Sequence, residues 1–254
     1  MKLTNNTILI TGGGTGIGRG LAEAFHAMGN RVIVAGRRQQ PLDETTAANP
    51  GMESATFDVA DAASIQAFAA EIAAKYPSLN VLINNAGIMR AEMLQKGELA
   101  DAEAIVATNL LGPIRLTAAL LPHLQKQRYS AIMNVSSGLA FVPLVYTPTY
   151  CATKAAIHSY TQSLRYQLKG TPTDVLELAP PYVATDLMHG RTDPRAMPLA
   201  DYIAEVMEIL QTQPDATEVC VGRAMGLRSA ERSGNYDAVF NGLNQAMADA
   251  AVPN

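Results

Sequence analysis

The stretch YTPTYCATKAA, Tyr146 to Ala156, holds two tyrosines four positions apart and a lysine four beyond the second. A free phenol titrates near about 10, so it moves protons at neutral pH only where a neighbouring cation stabilises its phenolate. Residues four apart on a helix share a face, with Cβ atoms roughly 6 Å apart. Tyr150 and Lys154 meet that spacing. Tyr146 does not, because Pro148 keeps Thr147 out of helical geometry and predicts a helix start at about Thr149. Tyr150 is therefore the expected reactive phenol, its pKa lowered by Lys154; Tyr146 is expected to line a pocket or cover apolar surface. Ser137, in NVSSG, follows a strand-like run. A hydroxyl at the carboxyl end of a parallel strand is placed to hold a substrate oxygen beside the phenol.

A second set of residues suits an anion. TILITGGGTGIGRGLAEAF puts Gly12, Thr15, Gly16, Ile17 and Gly18 between a strand and a helix. Gly12 allows the tight turn, Gly16 lets backbone approach a ligand, and Gly18 permits close helix packing. The N–H groups opening that helix would face a pyrophosphate. The second strand ends in AGRRQQ, with Gly36 near the position where an acidic residue would hold the ribose of NAD. Arg37 and Arg38 instead offer planar forks of donors suited to a 2′-phosphate. NADP is the expected cofactor, with NAD the alternative; the plainer reading of the pair is two solvated surface arginines.

The elements that must position these residues are legible as periodicity. Continuous apolar runs at 7–11, 31–36, 55–57, 80–84, 131–136 and 174–180 predict strands buried on both faces. Helical spacing fills the intervals, including 101–126 and 149–169, with further helices near 199–212 and 235–249. Such alternation predicts an α/β chain: a single-domain Rossmann fold over 1–254, its doubly wound parallel sheet covered by helices on both faces. The segment 186–212 is expected to include a substrate lid.

Composition narrows the partners. A net charge of −4 with scattered Lys and Arg gives no footprint for nucleic acid. The opening MKLTNNTILITGGG has too short an apolar run for a leader or membrane span, so no membrane association is expected. Cys151 and Cys220 have no CxxC spacing, consistent with a reducing cytoplasm. Cys151 is expected to point away from the reactive face. His26, His123, His158 and His189 are dispersed, and no metal site or ligand cluster is expected among them.

Together these motifs resemble the short-chain dehydrogenase/reductase family across nearly the whole chain. Thr11, Gly12, Gly16 and Gly18 match its TGxxxGxG motif, and NNAG at Asn84–Gly87 matches the motif after its fourth strand. Asn109, Ser137, Tyr150 and Lys154 match its catalytic positions in type and order. APPYVATDL departs from the family's Pro-Gly, with Pro181 in the glycine's place; this and the YDAVFNGLNQAM tail look like a DltE-type subgroup.

The resemblance implies that Tyr150 exchanges a proton with the substrate oxygen and that Lys154 also holds the nicotinamide ribose. It implies that Ser137 polarises the carbonyl and that Asn109 holds a water on the proton path. It also implies cofactor contacts from Asp58 (to the adenine amino group), Val59, Asn85, Ala86, Gly87, Pro180, Val183 and Thr185. For Asp58 the plainer alternative is a helix N-cap, for which Asp61 is the better candidate. Pocket walls are expected from 138–146, Met89, Tyr182 and 186–200. Their apolar character points to a small neutral ketone or secondary alcohol as substrate. A homodimer or homotetramer is expected from the helices at 101–126 and 149–169. Other chemistry on the same fold, as in epimerases or dehydratases, and a non-catalytic dinucleotide-sensing or scaffold protein are the rival readings.

Overall fold

The computed structural model describes residues 1–188 and 193–251. Its strands are β1 (Thr7–Thr11), β2 (Arg31–Gly36), β3 (Glu53–Thr56), β4 (Leu79–Asn84), β5 (Ser130–Val135), β6 (Thr173–Leu178) and β7 (Glu218–Val219). They form one sheet in the order β3-β2-β1-β4-β5-β6-β7, and every pairing is parallel. β7 has only two residues, too short to register as an apolar run, and it was not among the expected strands.

The helices are α1 (Gly16–Ala27), α2 (Gln39–Ala48), α3 (Ala62–Lys75), α4 (Ala100–Val106), α5 (Gly112–Leu124), α6 (Pro148–Gln167), α7 (Leu199–Thr212), α8 (Gly222–Arg228) and α9 (Tyr236–Ala251). A π-helical turn, Ala107–Leu111, joins α4 to α5, so the long pattern at 101–126 is one interrupted rod. That rod is long and apolar enough to cross a membrane by composition. Leu116, Leu120 and Leu124 are instead buried under the sheet.

Period-two alternation explains why the strands read as continuous apolar runs. Ile8, Ile10, Val32, Val34, Val81 and Ile83 face one core, whereas Leu9, Ile33 and Leu82 face the other. α1 and α7 cover the first with Leu21, Phe25, Tyr202 and Val206. α3, α5 and α6 cover the second with Ile65, Phe68, Leu116 and Leu164. Each such side chain, fully buried, contributes about 1.5–3 kcal/mol.

α7 corrects the expected lid. Tyr202, Val206, Met207 and Leu210 are core residues, so 199–212 supports the sheet rather than covering a pocket. Residues 189–192, including His189, lie outside the described residues.

β1 pairs with β2 on one side and β4 on the other, so the chain reverses its direction of travel across the sheet there. At such a switch point the connections leave on opposite faces and open a crevice at the carboxyl ends.

Candidate active site

A cavity of about 500 Å³ occupies that crevice. At one end it is floored by the β1–α1 turn, where Gly12 has φ +67° and Gly16 φ +54°, a left-handed backbone that favours glycine. A Cβ on Gly18 would lie 2.3 Å from the Gly12 carbonyl oxygen. The NNAG loop clamps this turn: the Asn85 and Ala86 N–H groups both donate to Thr11 Oγ1 at 3.0 Å. The Asn85 side chain donates to the Thr11 carbonyl at 2.9 Å. Asn85 therefore acts first as a brace for the turn.

Thr15, Ile17, Arg37, Arg38, Val59, Asn85, Ala86 and Gly87 line the cavity with Gly12 and Gly16. Pro180, Val183 and Thr185 line it from the strand end of β6. The two arginines are exposed at the cavity, and neither belongs to an ion pair among the described residues. Glycine-built floor, helix N-terminus and unpaired guanidinium groups together fit a phosphate-rich dinucleotide.

Two expected cofactor residues adjoin lining residues without lining the cavity themselves. Gly18 packs beneath the turn. Asp58 is not among the lining residues: its carboxylate turns back to accept from the Ala60 N–H at 2.9 Å. Asp61, as expected, caps α3 by accepting from the Ala63 N–H at 2.9 Å.

At the other end stand Ser137, Tyr150 and Lys154, all buried and all lining the cavity. Pro148 occupies the first turn of α6, where its missing N–H costs nothing, with Thr147 as N-cap. Glu92 fixes this helix start by accepting from the Thr149 N–H at 3.1 Å and the Thr149 hydroxyl at 2.7 Å. Lys154 Nζ lies 5.5 Å from the Tyr150 ring centroid and donates to the Val135 carbonyl at 2.8 Å.

The phenol departs from the expected acidity. Burial is the largest influence and pushes Tyr150 up to about 12, with the Ser137 hydroxyl pulling in the opposite direction. The same burial brings Lys154 down to about 8, against the pull of the Glu177 carboxylate. Desolvation disfavours both charged forms and is the largest influence on each.

Asn109 is buried in the π-helical turn. Its side-chain oxygen accepts from the Ile88 N–H and its amide donates to the Ile88 carbonyl, both at 2.8 Å. Both ends of the amide thus secure the loop after NNAG, and Asn109 itself is not a lining residue. A Cβ on Gly87 would lie 3.4 Å from Asn109 Oδ1 and 3.8 Å from Lys154 Nζ, so the two groups converge on that glycine.

The substrate end is lined by Met89, Leu139, Leu144, Tyr182 and Leu187. Of the expected wall, Val142 is buried in the core, while Val145 and Tyr146 are turned outward, 49% and 43% exposed. Phe141 packs edge-on against His158. Tyr146 thus does not line the pocket. Leu227, Leu243 and Met247 complete the wall. They come from α8 and α9, and nothing in their local pattern marked them. Arg90 also lines the cavity, paired with Asp101.

His158 has polar neighbours that its sequence position did not reveal. Its ring meets Glu177, and His158, Glu177 and Glu218 bring potential ligand atoms within 4.8 Å of one another. The three come from α6, β6 and β7, so spacing could not reveal them. Cys151 donates to the Leu144 carbonyl at 3.6 Å and is buried.

Comparison with known proteins follows the same lines. The family model for short chain dehydrogenases matches residues 6–196. The uncharacterized oxidoreductase DltE of Bacillus subtilis (strain 168) is 41% identical over 251 residues, 96% of this chain and 98% of its own. The NADP-dependent 3-hydroxy acid dehydrogenase YdfG of Shigella flexneri is 32% identical over 175 residues, 68% of this chain and 71% of its own. Among solved structures, the closed form of serine dehydrogenase complexed with NADP+ matches with a TM-score of 0.73 at 28% identity, covering 80% of this chain and 88% of its own.

Proposed function

Because the chain belongs to the short-chain dehydrogenase/reductase family, an oxidoreductase family, we propose that it uses NADP to interconvert small neutral, hydrophobic ketones and secondary alcohols. The observation that carries this reading is the convergence of Ser137, Tyr150 and Lys154 on one cavity continuous with the glycine turn.

The nicotinamide supplies the hydride, and the protein supplies geometry and proton management. Burial keeps Tyr150 protonated, as a proton donor to a carbonyl oxygen must be. The Leu139 N–H donates to Ser137 Oγ at 3.1 Å, and the serine hydroxyl, hydrogen-bonded to Tyr150 here, would turn its proton to polarise that carbonyl. After transfer the phenolate is stabilised by the Lys154 ammonium nearby. In reduction the carbonyl carbon gains a hydride, its oxygen gains the tyrosine proton, and solvent restores that proton. Asn109 acts as a positioning residue through the Ile88 loop.

Arg37 and Arg38 support NADP over NAD, since both are uncommitted cations at the glycine-turn end. NADP-dependence in YdfG and the NADP+ complex of serine dehydrogenase agree with that preference. A neutral substrate is supported by the apolar wall and by Arg90, whose charge Asp101 already balances. Asp186 and Leu187 line the cavity, so a short segment here remains the proposed cover. Unpaired Cys151 and Cys220 agree with a cytoplasmic setting. Exposed Leu111 and Tyr166, on the rod and on α6, support a homodimer or homotetramer. Light scattering showing only monomer at micromolar concentration would contradict that assembly.

The deciding assay is NADPH absorbance decay with a panel of neutral alkyl and aryl ketones alongside charged keto acids. Turnover of the neutral set is expected, and a strong preference for the acids overturns the substrate reading.

A further inference from the structure

Glu177 is an acidic residue on a parallel strand, only 1% exposed, and nothing in the proposed reaction uses it. Alternation along β6 turns Leu176 and Leu178 to one core, and Glu177 with Val175 to the other face, beneath α6. On that face the carboxyl ends of three adjacent strands carry a polar row: Asn84 opposite Asn134, and Asn134 opposite Glu177. An ionised carboxylate so buried persists only with partners.

Its partners all lead to the active site. The Ser136 hydroxyl donates to Glu177 at 2.5 Å, and Ser136 is the residue before Ser137. The His158 Nδ1 sits 2.8 and 3.0 Å from the two carboxylate oxygens. His158 lies one helical turn beyond Lys154, as Lys154 lies one turn beyond Tyr150, so the three share one stripe of α6. Phe141, in the loop after Ser137, packs edge-on against His158 at 4.9 Å. The Arg228 guanidinium covers the same ring at 4.6 Å.

We propose that Glu177 is a positioning residue: it anchors the Ser136–Phe141 segment that presents Ser137, and it sets a negative charge behind Lys154 that holds the lysine protonated. The proposal rests on the oxidoreductase reading for its consequence in turnover, but not for the electrostatics. The charged and titratable groups around the carboxylate are Lys154, His158 and Arg165 on α6, Glu218 and Cys220 at β7, and Arg228 on α8. Arg228 takes both Glu218 oxygens, at 2.5 and 3.1 Å, so no metal cation is required to balance the cluster. Burial already brings Lys154 down to about 8, and Glu177 is the group that opposes this. Without that charge, burial acts on the ammonium with nothing among the described groups to oppose it.

The test is a titration of Lys154 by NMR in protein carrying 13Cε-labelled lysine, with the resonance assigned from Lys154→Met. Glu177→Gln keeps size and an acceptor for Ser136. It is expected to move the Lys154 midpoint down by about one pH unit, and to move the alkaline limb of NADPH-dependent ketone turnover with it. An unmoved midpoint in folded protein overturns the electrostatic role. Ser136→Ala keeps the charge and removes the anchor: turnover is expected to fall about tenfold while the midpoint stays. Unchanged turnover in that variant overturns the anchoring role, and it still decides the matter if Glu177→Gln does not fold. The NMR readout needs no substrate, so failure of the ketone reading would appear as an inactive wild type with the midpoint shift intact.

Discussion

Around β1 and β2 the cavity is built from neighbours in sequence: Gly12 to Ile17 in one turn, and Gly36 to Arg38 in another. At the opposite end Leu139, Leu144, Tyr182, Leu227, Leu243 and Met247 come from segments scattered over the second half of the chain. The nucleotide end works through backbone, where a turn, a close approach and a helix start each demand particular residues. The substrate end works through side-chain volume, which many apolar residues supply equally well. One end is therefore written in a local code, and the other is assembled by the fold.

The proposed reacting group lies between the two ends, and removing it should have the largest effect. Tyr150→Phe is expected to lower ketone turnover by about 10³-fold, with unchanged NADPH affinity by fluorescence titration. Unchanged turnover would sink the catalytic assignment and favour a dinucleotide-sensing protein.

Replacing Arg37 and Arg38 together with alanine should reduce the preference for NADPH over NADH by about 10- to 100-fold, since hydrogen bonds to charged groups carry about 1.5–3 kcal/mol. The ratio of the two dissociation constants measures it. A preserved ratio would make the arginines surface residues.

Gly18→Ala attacks the backbone code itself, because the added Cβ would sit 2.3 Å from the Gly12 carbonyl oxygen. A loss of about 1–3 kcal/mol is expected, read as a fall in Tm of several degrees at roughly 2–4 °C per kcal/mol. Gly234→Ala has no atom near its Cβ but sits at φ +70°, so it serves as a control for left-handed strain without a clash.

Affinity for NADPH should weaken as pH rises through about 8, where Lys154 gives up its proton in the free enzyme. The sign follows from its lowered pKa: the ammonium is present below that value and lost above it. An affinity flat to pH 10 would indicate a lysine with its ordinary proton affinity.

The smallest effect is expected at the scattered wall. Met247→Ala should raise KM for bulky ketones several-fold, in line with the roughly 1–3 kcal/mol that small changes in an apolar pocket are worth, and leave NADPH binding unchanged. If NADPH affinity changed equally, the division between the two ends would fail.

Legibility in the sequence tracks this division. Six strands, the glycine turn and the Tyr150–Lys154 face were readable because each is a short-range pattern with a fixed period or a steric demand. The two-residue β7 was too short to carry a period. The long lid was misassigned because α7 has a helical pattern that gives no sign of which surface it will cover. The His158–Glu177–Glu218 cluster was missed because three separated segments contribute one residue each.

Sequence by itself determined the alternation of strands and helices, the anion-binding turn, and which tyrosine shares a helical face with a lysine. Tertiary structure alone decided that Asp58 folds back on its own loop, that α8 and α9 close the substrate end, and that Glu177 lies behind the active-site stripe. It also decided the proton affinities of Tyr150 and Lys154. Spacing can place two groups on one face, but the penalty for charging them depends on how completely the rest of the chain removes water from around them.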